Sequence, residues 1–454
     1  MNETGLPVVV VGAGPVGLAA AAELLEQGLD PRVLEAEQVG ASVRAWGHVR
    51  LFSPWGWVVD PAAQRRLEKD GWTPPDPESY PTGAEWAERY LAPLAEALGS
   101  RVVTGARVVG VARRGRNRVV DAGRDTEPLV VHVTTERGEQ RLLARAVIDA
   151  SGTWASANPL GGDGLPAVGE RAAGDRVRAG VPDLTVPTER ARYAGRHVAV
   201  AGSGHSALTA LASFADLVTT DPGTQVSWLL RRGAFGQVFG GGDADQLPAR
   251  GALGRRAAEA VDAGLVSPRF GFRTERVEAV ADGSLALVSD DGRRVEGVDE
   301  VVVLTGFRPD LSWLSEVRLD LDPTLQAPRE LAPLIDPNAH SCGTVYPHGA
   351  AELGQPEPGV YLAGMKSYGR APTFLARTGY EQVRSIAAEL AGDHEAAARV
   401  ELVLNETGVC GGAGWFDADA SAAETAAGSE CCASPASPAS PAAPVSVAVP
   451  SAAG

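Results

Sequence analysis

The chain has 454 residues, of which 44% are hydrophobic and 22% charged, a composition typical of a globular protein with two or three domains. Its 41 basic and 57 acidic side chains give a net charge of −16, which disfavours nucleic acid and anionic membranes as partners. Four cysteines exclude a disulfide scaffold, and the apolar run near the start is too short for a signal peptide or a membrane span. We therefore expect a cytoplasmic protein.

The start of the chain has the pattern of a dinucleotide-binding βαβ unit. Residues 7–11 include four consecutive valines, which favours a strand buried on both faces of a parallel sheet. A glycine-rich turn follows, then a helix is predicted over 16–27 and a second strand over 31–34. This is the context that a GxGxxG motif requires.

Each residue type in the first turn, GAGPVG, suits a diphosphate site. Gly12 permits the tight turn, Gly14 leaves room for the diphosphate beside Pro15, and Gly17 lets helix and strand pack closely. The helix start offers free N–H groups to phosphate. Glu35 follows the second strand, where its carboxylate can accept hydrogen bonds from a ribose and would repel a 2′-phosphate. The first site is therefore predicted to bind FAD or NAD rather than NADP.

A second turn of this kind, GSGHSA, follows a strand predicted over 197–201. Its alanine still allows close packing. The predicted nucleotide-binding residues of this loop are Gly202, Ser203, Gly204, His205 and Ser206. Arg231 and Arg232 directly follow the next strand, predicted over 225–230, and guanidinium groups there can fork onto a 2′-phosphate. The sequence predicts NADPH at this site; the alternative is a solvated basic pair at a strand end.

Several further segments have recognisable patterns. Residues 40–75 hold four of the nine tryptophans, which indicates either an aromatic-lined surface or a loop-rich part of the core. The other predicted elements are a helix over 83–98, strands with turns over 101–147, a strand and small-residue turn over 146–152, a helix over 207–216, a strand over 301–304, a strand and turn over 359–364 and a helix over 377–390. From about residue 415, Ala, Ser, Pro and Gly dominate, which predicts a disordered tail.

The order of these motifs resembles the two-dinucleotide-binding-domain flavoproteins, which include thioredoxin reductase-like enzymes and class B, or flavin-containing, monooxygenases. The first glycine loop with its acid, the turn DASG at 149–152, the second loop and TGFRP at 305–309 carry the resemblance over residues 7–395. It implies an α/β fold with two Rossmann-like domains, FAD in the first and NADPH in the second, the second inserted in the first. The expected divisions are 1–160 and 311–400 for FAD, 161–310 for NADPH and 401–454 for the cysteine-containing tail. The resemblance also implies FAD contacts from Ser151, Gly152, Gly364 and Thr373.

Two departures from the family patterns bear on function. The sequence has no CxxC, so the dithiol of thioredoxin reductases is absent. It also lacks the FxGxxxHxxxW fingerprint of class B monooxygenases, for which His205 is no substitute. A narrower resemblance, in residues 149–164 and 366–383 and the cysteine-bearing tail, is to flavin monooxygenases of actinobacterial arsenic-resistance operons.

Two groups of residues outside the glycine loops, one of cysteines and one of histidines with a cysteine, each have two possible interpretations. Cys410, Cys431 and Cys432 are thiols suited to a soft metalloid such as As(III), or incidental residues of a disordered end. His340, Cys342 and His348 either line a pocket or are structural.

The predicted function is an FAD- and NADPH-dependent oxidoreductase, favoured as a monooxygenase that uses molecular oxygen on sulfur, nitrogen or trivalent arsenic. The alternatives are a flavoprotein reductase without a CxxC, and a flavin-containing metalloid-binding or redox-sensing protein. The substrate is a small molecule or a metalloid, and the sequence predicts no oligomeric state. The candidate residues near flavin or substrate are Arg44, Trp46, Arg50, Lys366, Tyr368 and Arg370.

Overall fold

The structure is a computed structural model that describes residues 5–236, 238–245, 247–337, 348–372 and 374–402. The predicted tail lies outside the described residues from 403 onward, as do Thr373, His340 and Cys342.

The described residues form sixteen strands and thirteen α-helices. The strands are β1 (Val8–Val11), β2 (Pro31–Leu34), β3 (Val102–Val103), β4 (Arg107–Arg113), β5 (Leu129–Thr135), β6 (Gly138–Ala144), β7 (Ala146–Asp149), β8 (Val177–Ala179), β9 (His197–Ala201), β10 (Gln225–Leu229), β11 (Ser267–Arg269), β12 (Thr274–Ala279), β13 (Leu285–Ser289), β14 (Arg294–Val298), β15 (Glu300–Val303) and β16 (Val360–Leu362). The helices are α1 (Pro15–Glu26), α2 (Ala41–Ala45), α3 (Trp55–Val58), α4 (Pro61–Lys69), α5 (Gly83–Trp86), α6 (Ala92–Leu98), α7 (Pro187–Tyr193), α8 (His205–Thr220), α9 (Pro248–Asp262), α10 (Ala332–Ile335), α11 (Ala350–Leu353), α12 (Ala376–Ala391) and α13 (His394–Ala398).

Two five-stranded parallel sheets organise the chain. The first has the order β16-β7-β1-β2-β3, and its strand β1 is wholly buried because both faces are covered. The second has the order β11-β10-β9-β15-β8. Since every strand of the second sheet falls between β7 and β16 in sequence, the second Rossmann-like unit is inserted in the first, as predicted.

Two antiparallel three-stranded sheets, β4-β5-β6 and β12-β13-β14, complete the strand topology. Separate hydrophobic cores fill the two halves of the molecule. The first core packs α1, α4 and α12 around one face of the first sheet, and the second packs α8 and α9 against the second sheet. The two glycine loops therefore stand on separately packed scaffolds.

The helix predicted over 83–98 is interrupted by a π-helical turn at Ala87–Leu91. Pro93 lies in the first turn of α6 and has no N–H to donate to the carbonyl of Arg89. That carbonyl instead accepts a hydrogen bond of 2.9 Å from the indole N–H of Trp72. The interruption thus fixes one of the tryptophans of the 40–75 segment.

Candidate active site

The first glycine loop joins β1 to α1 with little room to spare. Gly12 has φ +100°, and a Cβ there would lie 2.8 Å from the carbonyl oxygen of Ala150. A Cβ on Gly17 would lie 1.9 Å from the carbonyl oxygen of Gly12. A Cβ on Gly14, by contrast, would meet no described atom within 4 Å, and no side chain caps the first turn of α1, where Pro15 stands. The loop therefore presents an open, uncapped helix N-terminus that suits a diphosphate.

Glu35 is tied to the first loop rather than merely close to it. Its Oε2 accepts a hydrogen bond of 2.7 Å from the backbone N–H of Ala13, and its Oε1 accepts one of 2.9 Å from the backbone N–H of Glu37. The carboxylate is half-buried at the carboxyl end of β2. Each oxygen keeps a lone pair that can accept a ribose hydroxyl.

The ends of β7 and β16 complete this edge of the first sheet. Ser151 follows β7, and Gly152 after it has φ +69°. Gly364 follows β16 with φ +66°, and its N–H donates to the side-chain oxygen of Gln382 at 2.7 Å. A Cβ on Gly364 would lie 3.2 Å from the side chain of Val16, so this turn packs directly on the first turn of α1.

The second glycine loop joins β9 to α8 and has the same form. Gly202 has φ +132°, and a Cβ there would lie 2.2 Å from the carbonyl oxygen of Leu304. Gly204 has open space around it and caps α8 without a side chain. Ala207, the third small residue of the motif, is fully buried with its Cβ in place. This second uncapped helix N-terminus also suits a diphosphate.

The predicted nucleotide-binding side chains of the second site are basic or neutral. Burial and the nearby Arg250 guanidinium lower the pKa of His205 to about 4, so its imidazole is neutral at pH 7. Its ring lies 5.2 Å from that of Phe52, which belongs to the other half of the molecule. Arg231 donates to the carbonyl oxygen of Gly162 at 3.2 Å, and burial lowers the pKa of the half-buried Arg232.

Both loops open into one continuous cavity of about 1840 Å³. Of the predicted nucleotide-binding residues, those that line it are Gly12, Gly14, Pro15, Glu35, Ser151, Gly152, Gly364, Gly202, Ser203, Gly204, His205, Ser206, Arg231 and Arg232. Gly17 instead packs beneath the loop. The structure thus brings the two predicted nucleotide sites together in one space.

The sequence matches the pyridine nucleotide-disulphide oxidoreductases over residues 9–341, which is most of the chain. The chain belongs to this family. No curated protein sequence matches it significantly.

Solved structures show the same fold. Bacillithiol disulfide reductase Bdr (YpdA) from Bacillus cereus is 20% identical, with a TM-score of 0.60 over 85% of this chain and 99% of the reductase. A flavin-containing monooxygenase from Stenotrophomonas maltophilia is 24% identical, with a TM-score of 0.52 over 85% of this chain and 98% of its own. An ornithine N-hydroxylase from Kutzneria sp. 744, solved with reduced FAD, NADP⁺ and L-ornithine, is 19% identical, with a TM-score of 0.54 over 86% and 99%.

These likenesses confirm the predicted two-dinucleotide flavoprotein fold and the resemblance on which it was based. The predicted cofactors, FAD and NADPH, agree with the groups in the N-hydroxylase structure. Among the described helices, none combines the length and hydrophobicity needed to cross a bilayer. Within the same described residues, no cluster of three or more His, Cys, Asp or Glu side chains is placed to hold a metal ion.

Five of the six candidate residues near flavin or substrate line the cavity of this oxidoreductase: Trp46, Arg50, Lys366, Tyr368 and Arg370. Arg44 does not, because its guanidinium donates to the carbonyl of Val39 at 3.2 Å and faces Glu88 at 4.0 Å. Arg370 is exposed and donates to the side-chain oxygen of Gln326 at 2.7 Å.

The remaining candidates divide into buried and undescribed residues. Burial raises the pKa of Tyr368, whose ring packs edge-on against Phe374. His348 is buried beneath the Gly364 turn, where its Nε2 lies 2.8 Å from the side-chain nitrogen of Gln382. The thiols Cys410, Cys431 and Cys432 lie outside the described residues, so the predicted metalloid site stays a prediction.

The sequence did not predict the contacts between the two chain segments that connect the halves, one at residues 154–158 and the other at 305–307. The rings of Trp154 and Phe307 pack together at the cavity wall with their centres 5.1 Å apart and their planes tilted by 31°. The backbone N–H of Asn158 donates to the carbonyl of Gly306 at 2.9 Å. This bond joins the segment that leaves the first half to the segment that returns to it. Both motifs were recognisable, but their pairing links segments about 150 residues apart and has no local pattern.

A buried ion pair on the cavity wall was missed as well. Arg250 holds Asp245 with its nearest contact at 2.7 Å, and both side chains are at most 5% exposed. Asp245 also accepts the N–H of Leu247 at 2.9 Å. The pair thus fixes the segment between β10 and α9, for which the sequence pattern predicts no element.

Proposed function

We propose that this chain is an FAD-dependent oxidoreductase that takes a hydride from NADPH and, with molecular oxygen, oxygenates a soft nucleophile. The observation that carries the proposal is the shared cavity, because both uncapped helix N-termini open into it. The chain has no CxxC that would pass electrons onward to a disulfide substrate.

In this proposal the first loop binds FAD. Gly14 and the first turn of α1 hold the diphosphate, and Glu35 accepts the ribose hydroxyls. The open space at Gly14 and the spare lone pairs of Glu35 are what the fit of FAD requires. The turns at Ser151 and Gly364 then flank the rest of the cofactor.

The second loop binds NADPH in this proposal. Gly204 and the start of α8 hold its diphosphate, while Arg231 and Arg232 recognise the 2′-phosphate. The neutral state of His205 leaves the charge of this loop to the helix end and the two arginines.

Bound FAD supplies hydride acceptance and reactivity toward oxygen. The protein orients the two cofactors in one cavity and limits access of water to it. Phe52, Trp154 and Trp313 line the cavity alongside Trp46, and such aromatic walls exclude water from the reacting centre.

The nucleophile that we propose is a sulfur, a nitrogen or trivalent arsenic. Soft atoms with an available lone pair are the ones that accept an oxygen atom in this way. If the substrate is a metalloid, the thiols of residues 410, 431 and 432 are its proposed ligands before transfer.

A reductase that passes electrons directly to an acceptor is the second candidate. The family match and the likeness to a disulfide reductase favour it. The two candidates differ in one requirement, since only the monooxygenase consumes oxygen in proportion to product.

The deciding experiment measures NADPH oxidation, oxygen uptake and product together, with a thioether, a primary amine and arsenite as substrates. We expect one NADPH and one O₂ consumed for each oxygenated product. Sustained anaerobic turnover with an added disulfide or quinone, and no oxygenated product in air, would establish the reductase instead. Purified protein that binds no FAD would rule out both.

A matched pair of variants connects the assay to the cavity. Trp154→Ala opens the wall, so we expect more hydrogen peroxide per NADPH as water reaches the site. Trp72→Ala removes a tryptophan whose indole is fixed on Arg89 away from the cavity lining, and should leave that ratio unchanged.

A further inference from the structure

Lysine is rare in this chain. Of its 41 basic residues only two are lysines, Lys69 and Lys366. Lys69 is exposed at the end of α4, whereas the side chain of Lys366 is 2% exposed in the turn after β16. The buried position thus holds an ammonium, a compact charge with three donors, rather than the planar guanidinium used elsewhere in the chain.

The ammonium of Lys366 is held by a short network. Its Nζ donates to Ser151 Oγ at 3.0 Å and lies 3.3 Å from Asp149 Oδ2, which is fully buried. Ser151 in turn donates its hydroxyl to Asp149 Oδ1 at 2.6 Å. The ring centre of Trp313 lies 5.5 Å from the same Nζ.

Stability alone gives little reason for this ion pair. Moving both charges out of water costs about as much as their attraction returns, so apolar residues would serve the fold equally well. The pair also sits where it can act, because Lys366, Ser151 and Trp313 all line the cavity at the edge where β1, β7 and β16 end.

Other cations near this edge are placed differently. Arg50 and Arg370 are exposed, and Arg44 points away from the cavity. Arg250 is buried but lies across the cavity, in the half that carries the second glycine loop. Among the described residues that line the cavity, Lys366 is therefore the buried cation on the side of the first loop.

We propose that Lys366 is a positioning residue that places a fixed positive charge beside the flavin and so favours its reduced form. The inference rests on the proposed function. A hydride brings two electrons and one proton, so the ring gains one negative charge while NADP⁺ leaves with one positive charge. The positive charge of the Lys366 side chain balances the ring charge, and the neighbouring Asp149 limits how strongly it does so.

The test is the two-electron midpoint potential of FAD in the full-length protein, measured by spectroelectrochemistry. Lys366→Met should lower the ratio of reduced to oxidised FAD at a fixed potential by about tenfold, which is ~30 mV. Asp149→Asn should shift the potential in the opposite direction, because the ammonium loses its counter-charge. The matched control Lys69→Met should leave the potential unchanged.

Opposite shifts in the two variants support the proposal, since general damage to the site would not reverse its sign. An unchanged potential in Lys366→Met, together with weaker retention of FAD, would assign the lysine to the diphosphate and overturn the inference alone. Wild-type protein that binds no FAD would overturn the inference and the proposed function together.

A second measurement needs no substitution at the buried site. Protein labelled with ¹³Cε-lysine gives two lysine resonances, and Lys69→Met identifies which belongs to Lys366. We expect the Lys366 resonance to shift when FAD is photoreduced and the Lys69 resonance to stay in place. A Lys366 resonance that does not respond to reduction would overturn the proposal.

Discussion

The two glycine loops share a topology but differ in how tightly the helix meets the strand. At the third small position the first loop has Gly17, where a Cβ would lie 1.9 Å from the carbonyl oxygen of Gly12. The second loop has Ala207 at this position, buried with its Cβ accommodated. The same fold thus tolerates one extra carbon in one half and excludes it from the other.

The halves also differ in the charges that they bury. The first half buries Glu23 and Asp60, and burial raises the pKa of these carboxyls to about 8 and about 7. In the second half, burial lowers the pKa of the half-buried His205 imidazole to about 4. Acid and alkali should therefore weaken different halves of one molecule.

The largest expected effect comes from exchanging the third residue of each loop. Gly17→Ala should destabilise the first half by about 3 kcal/mol, the upper end for overpacking, since a backbone carbonyl cannot rotate away. Ala207→Gly should cost only about 0.5–1 kcal/mol, the usual cost of glycine within a helix. Thermal unfolding and the amount of FAD retained after purification measure the difference.

Equal losses in the two variants would contradict this account of the loops. The FAD content separates a local effect from a general one, because we expect Gly17→Ala to lose FAD and Ala207→Gly to keep it.

The second effect concerns the residue that follows the second strand of each βαβ unit. Replacing Arg231 and Arg232 by glutamate should weaken the binding of NADPH by roughly 10–100-fold, because the 2′-phosphate loses its partners and meets like charge. The binding of NADH should improve relative to that of NADPH. Steady-state KM values for both nucleotides measure this change. Arg196→Gln alters an exposed arginine paired with Asp299 at the opposite end of β9, and should change neither KM.

The complementary change tests the first loop. Glu35→Arg should weaken the binding of FAD and leave the preference between NADPH and NADH unchanged, since the Glu35 carboxylate contacts the first loop. A variant that alters nucleotide preference as well would show that the two sites do not act separately.

The two loops were predictable because their residues are close in sequence and each has a local physical role. Strands β1 and β2 and helix α1 lie within one residue of their predicted bounds, since runs of valine and alanine between glycines leave few alternatives. Helix α8 is longer at both ends than predicted, because the polar residues at its start (His205, Ser206) and at its end (Thr219, Thr220) obscure the apolar pattern.

The shape of the cavity was not predictable in the same way. The contact of Phe52 with His205 and that of Lys366 with Asp149 join segments more than 150 residues apart, and such pairings leave no periodic trace in the sequence. Arg44 shows the converse error: its neighbours Val43 and Ala45 line the cavity, but a helical turn directs its own side chain toward Glu88. Composition identified the aromatic segment but not the direction of each side chain.

The smallest expected effect is the opposite pH dependence of the two halves. A carboxyl with a raised pKa in the folded state keeps its proton where the unfolded chain has lost it, so Glu23 and Asp60 favour folding less as pH rises from about 4 to about 8. An imidazole with a lowered pKa does the reverse, so His205 reduces stability as pH falls from about 6.5 to about 4. Asp60→Asn should recover about 1 kcal/mol at pH 8, or roughly 2–4 °C, and His205→Asn should recover stability near pH 5 instead.

Calorimetric unfolding across pH 4.5–8.5 checks both signs in the same protein. Asn can still accept the N–H of Ala63, which the Asp60 carboxylate accepts at 2.8 Å, so the cap of α4 survives the substitution. Asp70→Asn, at the exposed end of the same helix, is the control for the carboxyl change. If Asp60→Asn and His205→Asn raise stability in the same pH range, the buried titratable groups do not distinguish the halves. The difference between the halves is then the packing at residues 17 and 207.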